Sequence, residues 1–161
     1  MPEDPFKNFQ FVPPIEQILE TAFSRANKKS RAFTQRKDPS RNVRAREIKK
    51  IEVAFDYVID YLDNIVKSVP TLEALPAFYT ELSQILVDND LLRKKLGRIS
   101  GVTKLLEKLK KDQIRKIWAN PSVKDMKLAR KEGFGRLKSI LEKIQEDLNK
   151  REGVREEVQR D

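Results

Sequence analysis

The sequence predicts an all-α fold, an elongated antiparallel bundle of four to five helices, and three observations carry that prediction. Apolar residues recur in alternating steps of three and four, the period of one face of a helix, over as many as three heptads. Only five glycines occur, and most of the eight prolines fall between the periodic stretches. Strand signals, meaning short alternating runs bounded by turn residues, are missing. At 161 residues the chain is long enough to bury one core without crosslinks, so a single bundle domain is expected over residues 1–150, with a charged tail over 151–161.

The first helix is expected from about residue 14 to about residue 30. Ile15, Ile18, Leu19, Ala22, Phe23 and Ala26 follow helical spacing there, and Pro14 suits a first-turn position, where its missing N–H costs nothing. The second, after Pro39, is the most regular: Ile48, Ile51, Phe55, Val58, Leu62, Ile65 and Val69 form a core-facing seam over three heptads. Extended backward, that seam falls on Arg44 and Arg41. The first turns of this helix are therefore expected to project past the bundle, or to order only on a partner. Pro70 and Pro76 bracket a turn, followed by a short helix carrying Phe78, Leu82, Ile85 and Leu86 and ending near Asp88.

A long fourth helix follows, with Asp88 or Asn89 suited to cap its start and a stripe of Leu92, Leu96, Ile99, Val102, Leu106, Leu109, Gln113 and Ile117. Asn120, Pro121 and Ser122 break the pattern. Leu137, Ile140, Leu141, Ile144 and Leu148 define a last helix, and from Asn149 to Asp161 the chain is charged on nearly every face, as in a fraying end or a connector.

Cysteine and histidine are both absent. That excludes disulfides, thiolate metal sites, Ser-His-Asp chemistry and a histidine pH switch. No apolar run approaches the roughly 18 residues that span a bilayer, and the acidic opening MPEDPF is unlike a signal peptide. A cytoplasmic location is expected, without a membrane partner.

The segment EGFGRLKS (residues 132 to 139) has the composition of a phosphate loop but not its spacing, since Arg136 and Leu137 separate Gly135 from Lys138. It lies inside a helical pattern, so Gly133 and Gly135 read as close helix packing. Gly97 and Gly101, four apart, read as a close crossing, with a flexible joint as the competing reading. Trp118 reads as a packing cap on the fourth helix beside the Asn120 break, with a ligand platform as the competing reading. Carboxylate pairs such as Glu142 with Glu146, or Asp60 with Asp63, read as solvated helix faces. No residue is assigned a catalytic or metal-binding role.

The charge is distributed unevenly. Between residues 25 and 50 stand eleven basic residues, Arg25, Lys28, Lys29, Arg31, Arg36, Lys37, Arg41, Arg44, Arg46, Lys49 and Lys50, against Asp38 and Glu47 alone. The window thus carries +9, as does the whole chain, and the remaining 23 basic and 23 acidic residues cancel. A block so one-sided repels itself and reads as an interaction segment. Neutralising phosphates releases condensed counterions, so nucleic acid is the partner such a block serves best. An acidic protein and an anionic membrane are the competing partners. No major-groove reading motif is visible, which favours RNA recognised by shape and backbone over sequence-specific DNA. Arg41, Arg44, Arg46, Lys49 and Lys50 are the foremost expected phosphate contacts.

The opening FQFVPPIEQILETAFSRANK, the central LPAFYTELSQILVDND (residues 75 to 90) and the Gly135-Arg136 pair together resemble the N-terminal helical domain of the nucleolar GTP-binding protein 1 family. These are Obg-related GTPases of large-subunit ribosome assembly, and the archaeal members resemble this chain most closely. The similarity covers essentially the whole chain in one order, and its most specific part is Leu75, Pro76, Phe78 and Tyr79, with Leu82 and Asp88 behind them. It implies association with the precursor large ribosomal subunit and its ribosomal RNA, with ribosomal proteins or assembly factors as further partners; a monomer is expected.

Members of that family carry a GTPase domain directly after the helical region. In this chain there is no P-loop and no D-x-x-G, and the Asn27-Lys28 and Asn149-Lys150 pairs lack the aspartate of an N-K-x-D motif. No enzymatic activity and no cofactor are expected of this chain. GTP and Mg belong to the domain that follows in the family, and the tail reads as a linker toward it. A second functional reading makes the bundle a protein-interaction scaffold that grips its GTPase domain or an assembly factor through exposed apolar residues of the fourth or fifth helix.

Overall fold

The seam that begins at Ile48 becomes the central helix, and the other helices are arranged around it. The structure, a computed structural model, describes residues 15–31, 39–68 and 89–160. Four helices occur among these residues: α1 (Ile15–Ser30), α2 (Pro39–Ser68), α3 (Asn89–Ala119) and α4 (Val123–Arg160). The expected turn between Pro70 and Pro76, the short helix ending near Asp88, and the Leu75 to Tyr79 core of the family resemblance lie outside the described residues. Arg36 and Lys37 of the basic window do as well.

In α1, Ile15, Ile18, Leu19, Ala22 and Ala26 are buried on one face, with Glu16 in the first turn and Lys28 and Lys29 in the last. Both ends thus carry the charge that the helix dipole favours. Helix α2 opens on Pro39 and buries a wide stripe of Ile51, Ala54, Phe55, Val58, Ile59 and Leu62. The width follows from its position, since α1, α3 and α4 all pack on it. The α3 stripe is largely as expected, with Ile99, Leu106, Leu109, Gln113 and Ile117 buried.

The break at residues 120–122 is also as expected. Asn120 Nδ2 donates to the Lys116 carbonyl at 2.9 Å, satisfying one of the orphan acceptors at the end of α3. Met126 N donates to the Ser122 carbonyl at 3.0 Å and opens α4. Met126, Ala129, Leu137, Leu141 and Ile144 line the buried face of α4.

Contacts fix the directions. Arg44 meets Asn120 and Asp56 meets Lys110, so α2 and α3 are antiparallel. Glu47 meets Arg130, and Ile51 lies beside Gly133, so α2 and α4 run the same way. Phe23 of α1 stacks on Phe134 with ring centroids 4.4 Å apart, while Arg31 shares a hollow with Lys127; α1 and α4 are antiparallel.

Three expectations need correction. The first turns of α2 do not project: Asn42 and Glu47 are buried and Val43 packs on the core. Arg44 stands on the seam, yet its stem is long enough to lie along the bundle while its guanidinium reaches the carbonyl of Asn120 at 3.2 Å. Trp118 is no packing cap, being 63% exposed. A Cβ built at Gly97, Gly101 or Gly135 would meet nothing within 4 Å among the described residues, and of these four glycines it is Gly133 that packs closely against them. Helix α4 runs on to Arg160, in keeping with the Glu, Arg and Gln of its last turns, which are good helix formers.

Candidate functional site

The antiparallel order brings the end of α1, the start of α2, the end of α3 and the start of α4 to one end of the bundle. Two of these ends are helix N-termini, which present unpaired N–H groups and a partial positive charge. The opposing C-terminus of α3 is compensated by Arg44 and by the Asn120 side chain.

The basic window divides at this end into exposed and structural cations. Lys28, Lys29 and Arg31 are exposed at the end of α1, and Arg41 is exposed in the first turn of α2. Arg46 and Lys49 are half-buried. Lys50 is turned inward and its Nζ donates to Glu47 Oε1 at 3.4 Å. Arg44 lies between α2 and α3, with its guanidinium 5.6 Å from the centre of the Trp118 ring. Arg25 sits farther along α1, its guanidinium 4.8 Å from the Tyr57 ring.

Glu47 explains why the helix ends can approach. It is the one acid on α2 before Glu52, with its side chain 4% exposed, and Arg130 Nε donates to its Oε2 at 2.7 Å. Arg130 in turn lies 5.0 Å from the Phe134 ring. Two cations, Arg130 and Lys50, thus converge on one buried carboxylate, and the ion pair joins α2 to α4.

The fold adds cations that the window omits. Lys124, Lys127 and Lys131 are exposed on the first turns of α4, and Lys127 lines a hollow of about 320 Å³ with Arg31, Arg46 and Lys50. Sequence reasoning missed them because Asp125 and Glu132 lie among them, so local charge there is only mildly positive. Their partial signal is the KLARK run at residues 127 to 131, and topology alone joins it to the window.

Two further hollows flank this end. One, of about 600 Å³ between α2 and α3, is lined by Arg41, Arg44, Ala45, Ile48, Lys49, Glu52, Ile114 and Trp118. The other lies between α3 and α4, where Lys116 Nζ donates to Glu132 Oε1 at 3.0 Å and Gln113 Nε2 to the same oxygen at 3.4 Å. The Lys116 hydrogen bond, ahead of the opposing cost of burial, holds the Glu132 carboxyl below its ordinary range.

The arrangement suits a polyanion. It does not suit a nucleoside triphosphate at residues 132 to 139. That segment is continuous helix, and Gly133 faces Ile51 and Gln113 instead of presenting its backbone to a phosphate.

Comparison with known proteins agrees with the fold. The NOG1 N-terminal helical domain family matches residues 6–160. The chain is 29% identical over 146 residues to an uncharacterized protein of Methanocaldococcus jannaschii, which covers 90% of this chain and 42% of that one. It is 24% identical to nucleolar GTP-binding protein 1 of Drosophila melanogaster and 21% identical to that of Saccharomyces cerevisiae. Each of those matches covers 96% of this chain and 24% of the relative. The chain therefore spans less than half the length of these relatives. The cytoplasmic location expected above is corrected by the same comparison, since the eukaryotic relatives are named as nucleolar proteins.

Proposed function

This chain belongs to the family of NOG1 N-terminal helical domains, and on that premise we propose that it docks a ribosome-assembly GTPase onto RNA of the precursor large ribosomal subunit. The observation that carries this reading is the convergence of exposed cations from three helices, Lys28, Lys29, Arg31, Arg41, Lys124, Lys127 and Lys131, at one end of a rigid bundle. Phosphate neutralisation by Lys and Arg supplies sequence-independent affinity for RNA and fixes orientation. Rigid helices add that the cations are presented at fixed spacing, so little ordering entropy is lost on binding.

Residues 151–161 lead, in this reading, toward the GTPase domain, so that the basic end and that domain lie at opposite ends of α4. Arg44, through the Asn120 carbonyl, and Lys50, through Glu47, also brace the surface from below. The test is binding of large-subunit ribosomal RNA fragments by the unchanged protein and by a variant with Lys28, Lys29, Lys124 and Lys127 changed to Gln. All four side chains are exposed, so helicity by circular dichroism is expected to stay the same while affinity falls at least tenfold. Equal affinity would overturn the assignment of the surface.

A second reading has its own observation, because Leu105 and Leu128 are large apolar side chains about half exposed on α3 and α4. A protein partner covering them would bind the four-Gln variant as well as the unchanged protein and lose affinity when both leucines become Ser.

A further inference from the structure

The groove between α2 and α3 is unlike the rest of the basic end, because it combines cations with an exposed aromatic ring. Trp118, the chain's single tryptophan, is 63% exposed at its rim. Arg44 lies over the ring, 5.6 Å from its centre, and is anchored through the Asn120 carbonyl at 3.2 Å. The Nε of Arg44 is buried with no acceptor among the described residues, so the guanidinium is a donor that the protein uses only in part. Ala45, Ile48 and Ile114 give the groove an apolar floor, and Arg41 and Lys49 stand at its edge. The acid on this rim is Glu52, and Lys49 stands 4.0 Å from it.

An exposed indole costs solubility and contributes nothing to the core, so it needs another account. A flat apolar slot, roofed by an indole and an arginine plane and edged with cations, is the chemistry that accepts an unstacked nucleobase. The base stacks on the aromatic face while its phosphates meet the cations, and RNA is read in this way at single-stranded loops and bulges. The volume of about 600 Å³ lies within the range of small-ligand pockets. We propose that this groove binds one unstacked base of single-stranded RNA on Trp118, with Arg41 and Lys49 contacting the flanking phosphates. The inference rests on the RNA-docking reading above and adds to it a preference for an unpaired segment.

The single tryptophan makes the test direct. The protein is titrated with a short oligoadenylate strand, with the same sequence made abasic at its centre, and with a blunt RNA duplex, following Trp118 fluorescence. The expected result is saturable quenching by the strand, little quenching by the duplex, and weaker binding of the abasic strand. The variant Trp118→Ala is expected to bind the strand about five- to 150-fold more weakly, with an unchanged salt dependence, and Trp118→Phe to recover part of that loss. If the strand binds with the same affinity after Trp118→Ala or after removal of the base, this inference is wrong while the RNA reading stands. If the duplex quenches Trp118 as fully as the strand, the preference for an unstacked base is likewise overturned. If neither the oligonucleotides nor ribosomal RNA fragments bind, both readings fall together.

Discussion

Glu47 and Glu132 are both acids placed between helices, and their environments assign them different weights. Glu47 is enclosed, with Arg130 and Lys50 as its donors, and removing it leaves Arg130, 17% exposed, without its carboxylate. Breaking a buried pair from one side costs about 3 kcal/mol or more. Glu47→Ala is therefore expected to lower the unfolding free energy by that amount, seen as a lower denaturation midpoint at an unchanged slope. Lys49→Ala, which removes a long and exposed pair to Glu52, should stay within about 0.5 kcal/mol. Glu132 is 43% exposed beside Lys116, so solvent screening keeps its contribution small. Its folded carboxyl titrates below the ordinary value of 4.5. The stability this adds is present above that value and is lost as pH falls through the lowered one. Urea midpoints of the unchanged protein and of Glu132→Gln are thus expected to differ at neutral pH and to converge in acid.

At the scale of elements, two neighbouring glycines of α4 show how a helix separates neighbours. Gly133 and Gly135 are two residues apart and so project about 200° apart around the axis. A Cβ at Gly133 would stand 2.8 Å from Ile51 Cδ1 and 3.2 Å from Gln113 Cγ, whereas at Gly135 it would meet nothing within 4 Å among the described residues. Gly133→Ala is expected to destabilise, because overpacking of about 1–3 kcal/mol exceeds the helix-propensity gain of about 1 kcal/mol. Gly135→Ala is expected to stabilise by up to about 1 kcal/mol, since only the propensity changes. Thermal unfolding of the two variants checks both signs. The apolar seams of α1, α2 and α3 were legible from spacing alone, because a buried face must repeat with the helical period. The start of α2 was not, because spacing treats Arg44 as charge and ignores the long apolar stem that lets it lie on the seam. Trp118 failed in the opposite sense: its place at the end of the helix suggested a packing cap, and the same place at the last turn of α3 leaves it exposed at the rim of a groove.

For the whole molecule, the relevant quantity is where charge collects once four helices are assembled. The sequence located most of the basic end in one window, and Lys28, Lys29, Arg31 and Arg41 do lie there. It did not show that Arg44 and Lys50 are internal braces, nor that Lys124, Lys127 and Lys131 join the same surface, since both facts depend on which helix ends meet. The helix dipoles do not add to this, since the N-termini of α2 and α4 meet the C-termini of α1 and α3 at the same end, so the side chains carry the charge. The function proposed above places the RNA phosphates at this end. The decisive quantity is the slope of log affinity for a large-subunit ribosomal RNA fragment against log salt concentration, measured for three proteins. These are the unchanged chain, the variant with Lys28, Lys29, Lys124 and Lys127 changed to Gln, and a control of equal net charge with Lys104, Lys108, Lys138 and Lys143 changed to Gln. The slope of the first variant is expected to flatten by about one unit for each phosphate that is no longer neutralised, while the control keeps the original slope. Equal flattening in both variants would mean that net charge alone sets the affinity, and would contradict the assignment of RNA binding to this end.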